Sequence, residues 1–299
     1  MLPLSVFLYF YPANYCLSML KLHVDIEPNS GFCFGVKNAI KKAEEVLDSG
    51  EELFCLGEIV HNDQEIQRLV GRGMKLISED EFRVLKNKTV LFRAHGEPPQ
   101  SYLAAAENGI KVIDASCPII LKLQEKIFKS YLNREIIYIF GLPNHPEIIA
   151  LNGKINSSAV VFDKYEDLDL KKIPPKITLY SQTTKSLKQF YEVINRMKDA
   201  GIEVKVEDSI CRQVSNREQE LREFCRRFHR IVFVAGTNSS NGKQLYEICA
   251  QENSNVHFVS AVSEIDATWF SENEKVGICG ATSTPLWLIQ DVKDFLLKL

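Results

Sequence analysis

Along the chain, short apolar runs alternate with stretches whose apolar residues recur at helical spacing. The runs predict strands and the spaced stretches predict amphipathic helices. Lys21 to Ile26 alternates apolar and polar residues, as a half-buried strand does. After Gly35, the residues Val36, Ile40, Ala43 and Leu47 share one helical face, and Gly50 stops that helix. Leu53 to Leu56 is a strand leaving into Gly57-Glu-Ile-Val-His61-Asn62. Gln64 to Val70 is a helix ending at Gly71, and Thr89 to Phe92 is a strand leaving into Arg93-Ala-His95-Gly96.

The scheme then repeats. Lys111 to Ile113 leads to Asp114-Ala-Ser-Cys117-Pro, and Pro118 suits the first turn of a helix, whose amides lack intrahelical partners. Glu135 to Phe140 is a near-continuous apolar run, expected of a parallel strand buried on both faces. It leaves into Gly141-Leu-Pro-Asn-His145-Pro-Glu147, read as a short exit loop. Val160 to Phe162 is a further strand, Lys171 to Lys176 a proline-bearing surface link, and Ile177 to Tyr180 leaves into Ser181-Gln-Thr183-Thr, followed by a helix ending at Gly201. Val204 to Val206 leads to Cys211. Ile231 to Val234 leaves into Ala235-Gly-Thr-Asn-Ser239-Ser240-Asn241 ahead of a helix over Gln244 to Ala250. Val276 to Cys279 leaves into Gly280-Ala281-Thr-Ser283 ahead of the final helix.

Alternating strands and helices imply an α/β protein with parallel sheets, whose ligands sit beyond the carboxyl ends of the strands. Cys33, Cys117 and Cys211 occupy matching positions between a strand and a helix, so three similar lobes are expected, and lobes packed around one centre would bring all three cysteines there. The length of 299 residues accommodates two or three such units. The first twenty residues are apolar, carry no Lys or Arg, and contain Pro3 and Pro12. They lack the basic start of a signal peptide and are broken as a membrane helix. Residues 1–20 are therefore read as an extension outside the fold, with Met19 an alternative start and an amphipathic membrane anchor the competing reading.

A net charge of −3, without a basic stripe, argues against nucleic acid as the main partner. Eight cysteines in 299 residues are too dilute for a disulfide scaffold and point to reduced thiols and a cytoplasmic location, with no stable membrane association. A cysteine at a helix N-terminus is expected to have its thiol acidity raised by the helix dipole, which favours metal ligation or nucleophilic attack. Any one such cysteine is more often a small buried hydrophobe. Three in matching contexts suggest a metal centre, either zinc with a fourth His or water, or an iron–sulfur cluster with one iron free of thiolate. Cys55 and Cys279 in strands and Cys225 and Cys249 in helices are assigned to packing, and Cys16 lies in the extension.

His61, His95 and His145 stand at strand exits, unlike His23, His229 and His257. With Ser239, Ser240, Asn241 and Ser283 just ahead of helices, they suit a ring of donors around an anion such as phosphate. The serines serve equally well as helix caps. No Walker loop or GxGxxG follows a strand, so neither ATP nor NAD is indicated. Glu147 beside His145 is the candidate proton donor, and Thr183 is placed to orient a hydroxyl.

The strings GFCFGV, GEIVHN, RAHGE, DASCP, HPE, SQTT, NSSN and ATSTP, in this order over about residues 21 to 297, resemble the 4-hydroxy-3-methylbut-2-enyl diphosphate reductases of the non-mevalonate isoprenoid pathway. The resemblance implies a pseudo-threefold trefoil of three α/β lobes (34–117, 118–207 and 208–299, with 21–33 packed on the third) around a central iron–sulfur site. It further implies one four-iron four-sulfur cluster held by Cys33, Cys117 and Cys211 with one open iron. The implied reaction is a two-electron reductive dehydroxylation giving isopentenyl and dimethylallyl diphosphates. His61, His95, His145, Ser239, Ser240, Asn241 and Ser283 would hold the diphosphate, Glu147 would deliver protons, and Thr183 would place the hydroxyl. With no nicotinamide or flavin fingerprint, the electrons would come from an external protein such as a ferredoxin or flavodoxin. Three departures stand out: Ala281 for a usual glycine, which is expected to narrow the diphosphate pocket, Arg212-Gln-Val after Cys211, and Glu218 for a usual glutamine. Two other readings compete, a zinc-dependent hydrolase or lyase acting on a phosphorylated small molecule and a non-catalytic phosphate-binding module.

Overall fold

A computed structural model of the chain describes residues 20–299; the proposed extension up to residue 19, Cys16 included, lies outside the described residues. The chain runs β1 (His23–Ile26), α1 (Phe34–Asp48), β2 (Leu53–Leu56), α2 (Asp63–Gly71), β3 (Lys75–Ile77), α3 (Glu79–Val84), β4 (Thr89–Phe92), α4 (Pro99–Glu107) and β5 (Lys111–Asp114). It continues through α5 (Pro118–Leu132), β6 (Ile137–Phe140), α6 (Pro146–Gly153), β7 (Val160–Phe162), β8 (Lys176–Ser181), α7 (Leu187–Asp199) and β9 (Glu203–Val206). The last part comprises α8 (Arg212–Ser215), α9 (Arg217–Cys225), β10 (Arg230–Val234), α10 (Ser240–Glu252), β11 (Val256–Val259), β12 (Lys275–Gly280) and α11 (Leu286–Leu296).

The strands form three separate four-stranded parallel sheets, ordered β3-β2-β4-β5, β7-β6-β8-β9 and β11-β10-β12-β1. The spatial order corresponds in all three. In the third sheet the outer position filled by β5 and β9 elsewhere is taken by β1, which pairs with β12 from His23 opposite Lys275 to Ile26 opposite Ile278. Leu20 extends this edge, donating its N–H to the Leu299 carbonyl at 2.7 Å and accepting from Asn273 N–H at 2.7 Å.

Each sheet has apolar cores on both faces. Along β2, Leu53 and Cys55 enter one core while Phe54 and Leu56 enter the other. Along β6, Ile137 and Ile139 face one way and Tyr138 and Phe140 the other. Along β10, Ile231 and Phe233 oppose Val232 and Val234. Double-sided burial is why these strands read as continuous apolar runs. β1 lies at an edge, and its exposed His23 and Asp25 flank the buried Val24, so it reads as alternating.

Sheet position then decides where chemistry goes. The two inner strands of each sheet, β2 and β4, β6 and β8, β10 and β12, meet where the strand order reverses, and parallel sheets open a crevice there. Their exits carry His61 and His95, then His145 and Thr183, then Ser239 and Ser283. The outer strands β5, β9 and β1 deliver Cys117, Cys211 and Cys33. Among the described residues, no helix is long and apolar enough to cross a membrane.

Candidate active site

Each of the three cysteines sits at the N-cap of a helix, Cys33 before α1, Cys117 before α5 and Cys211 before α8. Each is tied to the neighbouring inner strand by the same bond. Cys33 N–H donates to the Thr282 carbonyl at 3.1 Å, Cys117 N–H to Ala94 at 3.0 Å, and Cys211 N–H to Thr183 at 2.9 Å. The backbone bond that places each cysteine therefore comes from the exit loop that bears the polar site residues. All three cysteines line one cavity together with His61, His95, His145, Glu147, Thr183, Ser239, Ser240, Asn241 and Ser283. Every site residue expected from the sequence is in this cavity. Cys55, Cys225, Cys249 and Cys279 do not line it. Aliphatic side chains, among them Val36, Ile59, Val60, Ile119, Ile120 and Val214, form much of the remaining wall.

At Cys33 and Cys211 the expectation of acidified thiols is overturned. Burial pushes the Cys33 and Cys211 thiols up, and the opposing pull of nearby backbone bonds, at Gly35 and Val36 for Cys33 and at Gln213 and Val214 for Cys211, does not offset it. An apolar enclosure penalises a thiolate more than a helix N-terminus favours it. A cationic group in the cavity is what would reverse this balance. The space for one is protected by Gly35, where a Cβ would stand 2.9 Å from the Cys117 Sγ and 4.0 Å from the Cys33 Sγ.

The three histidine rings form a triangle with centroids 5.1, 5.4 and 5.7 Å apart. Their ligand atoms lie within 4.8 Å of one another. His61 Nδ1 is 3.1 Å from Glu58 Oε2, while its Nε2 is buried without a partner, as is His95 Nδ1. His145 Nδ1 accepts from Glu147 N–H at 3.2 Å, which leaves the proton of the neutral ring on Nε2. Burial, and then the neighbouring His61 and Arg93, hold His145 down at about 4. Burial and the two other histidines push His95 well below the usual imidazole range. An anion in the triangle would supply the missing partners and favour protonation.

Glu147 is not in an exit loop, as the sequence suggested, but in the first turn of α6, because Pro146 starts the helix directly after His145. The carboxylate is buried and receives two bonds from one residue, Thr183 N–H at 2.7 Å to Oε1 and Thr183 Oγ1 at 2.7 Å to Oε2. Burial nevertheless raises Glu147 to about 7, the bonds from Thr183 opposing it. The group thus titrates near neutral pH, where a proton donor is most effective.

On the third lobe, Ser239 caps α10 by accepting from Gly242 N–H at 2.9 Å, and its Oγ lies 2.9 Å from the Ser283 Oγ. Cap and cavity-lining roles thus coincide in Ser239. Asn241 Oδ1 accepts from Thr282 N–H at 3.1 Å and Thr282 Oγ1 at 2.7 Å. This fixes the amide so that the Asn241 Nδ2, buried and without a partner, is left as a free donor. Thr282 escaped the sequence reading, although it sits in the string that drew attention to Ser283. Gly236 also escaped it: a Cβ there would come within 2.3 Å of the His61 carbonyl oxygen and 2.8 Å of the Asn62 Cα. Only glycine allows the third lobe's loop to approach the first lobe's loop so closely.

The departures are absorbed locally. Ala281 turns into the core beside Cys279 and Phe233, keeps an ordinary φ, and does not line the cavity, so it does not narrow the site. Gln213 accepts from Phe34 N–H at 3.3 Å and joins the starts of α8 and α1. Glu218 pairs with Arg222 at 3.0 Å.

Comparison with known proteins adds the family. The family described as LytB protein matches residues 24–297. The chain is 44% identical over 287 residues to the 4-hydroxy-3-methylbut-2-enyl diphosphate reductase of Bacteroides thetaiotaomicron, covering 93% of this chain and 99% of that one. It is 42% identical over 304 residues to the reductase of the same name from Chloroherpeton thalassium, covering 92% and 96%. A solved structure of (E)-4-hydroxy-3-methyl-but-2-enyl diphosphate reductase, described as the terminal enzyme of the non-mevalonate pathway, superposes with a TM-score of 0.71 at 33% identity, covering 93% and 99%. The E-1-hydroxy-2-methyl-but-2-enyl-4-diphosphate reductase of Plasmodium falciparum superposes at 0.80 with 27% identity, covering 91% and 86%. With the match spanning all three sheets and every loop of the cavity, the chain belongs to the LytB protein family.

Proposed function

We propose that the chain is a 4-hydroxy-3-methylbut-2-enyl diphosphate reductase, removing the hydroxyl of the allylic diphosphate by two-electron reduction to give isopentenyl and dimethylallyl diphosphates. One observation carries the reading: three helix-capping cysteines, a histidine triangle and a buried acid titrating near neutrality share one cavity, supplied by all three sheets.

The cysteine spacing bears on what they hold. Zinc–sulfur bonds of about 2.3 Å keep the sulfurs of one zinc ion no more than about 4.6 Å apart. Among the described residues, the groups whose ligand atoms all lie within 4.8 Å are the three histidines and Cys225, Cys249 and Cys279. Cys33, Cys117 and Cys211 form no such group, which favours a cluster of several irons over a single zinc. Three cysteines without a fourth fit a four-iron four-sulfur cluster with one open iron. When bound there, such a cluster supplies electrons and a Lewis-acidic site for a poor leaving group. The electron source on this reading is an external ferredoxin or flavodoxin. On this reading the enzyme works in the cytoplasm.

The chain's own groups divide the remaining work. The His61, His95 and His145 rings, the Ser239, Ser240 and Ser283 hydroxyls and the Asn241 amide hold the diphosphate, and His61 Nε2, His95 Nδ1 and Asn241 Nδ2 are buried without partners until it binds. The aliphatic wall takes the hydrocarbon part and excludes water. Thr183 orients the substrate hydroxyl. With Glu147 ionised, the Thr183 hydroxyl donates to it; with Glu147 protonated, the carboxyl donates to Thr183 Oγ1, whose own hydrogen then points elsewhere. Glu147 and Thr183 form a two-residue path by which a proton reaches the departing oxygen.

The test is anaerobic purification followed by iron, acid-labile sulfide and zinc analysis, with turnover of the allylic diphosphate under a one-electron reductant. Iron and sulfide in equal amounts, lost together with activity in Cys117→Ala, are expected. Stoichiometric zinc without iron would replace this reading with metal-dependent hydrolysis, and a Cys117→Ala variant with its iron and activity intact would remove the ligand assignment.

A further inference from the structure

A second set of three cysteines meets away from the central cavity. Cys225 ends α9, Cys249 lies late in α10, and Cys279 lies near the end of β12. Their Sγ atoms are all within 4.8 Å of one another, and none of the three side chains has exposed surface. Around them are Leu221, Phe224, Phe233, Leu245 and Ile248. Nothing along the chain connects them, since no local spacing links two helices and a strand.

Geometry and charge together select what such a site takes. Bonds of about 2.3 Å from one ion to three sulfurs put those sulfurs about 4 Å apart or less, a spacing compatible with Sγ atoms that all lie within 4.8 Å of one another. No fourth ligand atom belongs to the group among the described residues, whereas structural zinc takes four. Three thiolates leave a net charge of −2 on a monovalent ion and −1 on a divalent one. In apolar surroundings that charge is costly unless it is compensated. With a trivalent ion the complex is neutral.

We propose that Cys225, Cys249 and Cys279 form a tris-thiolate site for a trivalent thiophilic metalloid of the arsenite class. Arsenous acid, As(OH)3, exchanges its three hydroxyls for the three sulfurs. Three As–O and three S–H bonds break, three As–S bonds form, and three waters leave. Arsenic remains trivalent throughout, so no oxidant or reductant is consumed. Because the thiols are enclosed, entry requires local opening of α9 or α10, and uptake is slow. The bound ion would tie together the elements that lead to Cys211, Ser239 and Ser283 in the catalytic cavity.

The test uses the iron-loaded protein, purified anaerobically and incubated with arsenite, then desalted. The wild type is expected to retain about one arsenic per chain, with three sulfur neighbours by X-ray absorption. Cys249→Ala and Cys225→Ala, with iron content unchanged, are expected to retain about a tenth of that or less. No retention by the wild type, or coordination by two sulfurs, overturns the proposal. Equal retention by Cys249→Ala places the arsenic at other thiols and overturns it too. Should the alanine variants fail to fold, alkylation of the wild type in moderate urea with peptide mapping decides: arsenite must protect Cys225, Cys249 and Cys279 together, and unchanged labelling counts against the site.

Discussion

Glu147 couples the site's chemistry to the stability of the whole chain. Its carboxyl rises from an ordinary 4.5 to about 7 in the folded protein, with burial as the cause. As pH rises past the unfolded value, the unfolded chain releases this proton while the native state keeps it. Stability therefore falls with rising pH until the native carboxyl has also ionised. The full shift corresponds to about 3 kcal/mol, and the part lost between about pH 5.5 and about pH 8.5 is about 2 kcal/mol. Glu147→Gln isolates this contribution. The amide keeps both contacts, its oxygen accepting from Thr183 N–H and its NH2 donating to Thr183 Oγ1, while removing the titration. Urea unfolding at the two pH values should show the wild type losing about 2 kcal/mol more than the variant over the interval, background titrations cancelling in the difference. Parallel pH profiles for the two proteins would show that burial does not raise this carboxyl and would remove the basis for Glu147 as a neutral-pH acid.

The same variant, assayed for turnover, should bind the allylic diphosphate normally and react about 10²- to 10⁴-fold more slowly, the range for a lost general acid; near-normal turnover eliminates the role. Thr282→Val removes the Oγ1 bond to the Asn241 oxygen and leaves the backbone N–H as its remaining partner, at a cost of about 0.5 to 1.5 kcal/mol. This should appear as a rise in substrate KM with little change in kcat, and Thr282→Ser should restore it. Gly236→Ala forces the His61 loop away and should destabilise the chain by about 1 to 3 kcal/mol in urea unfolding while weakening diphosphate binding; unchanged affinity would show that the approach of the two loops does not set the histidine triangle.

Period and spacing in the sequence sufficed for every described strand but β3 and β11, because each is either flanked by polar turns or apolar over most of its length. The short β3, with only Leu76 and Ile77 apolar, was missed because an edge strand buries too little to leave a pattern. α4 and β11 were also missed, although Pro99 at a first helical turn and the apolar Val256 to Val259 after Asn253-Ser-Asn are both visible signals. The cavity residues were legible as residue types at strand exits, since parallel sheets put chemistry there.

The sequence by itself determined the strand–helix alternation, the three matching cysteines and the polar exits. The local signals act over a few residues, so they could not say which exits face one another. That was decided by the strand order, which puts the histidine, Thr183 and serine loops on inner strands and the cysteines on outer ones. Burial, a property of the packed chain alone, raised Glu147 and held the Cys33 and Cys211 thiols up against their helix N-termini. The convergence of Cys225, Cys249 and Cys279 is likewise tertiary, for α9, α10 and β12 meet only when the third sheet is covered.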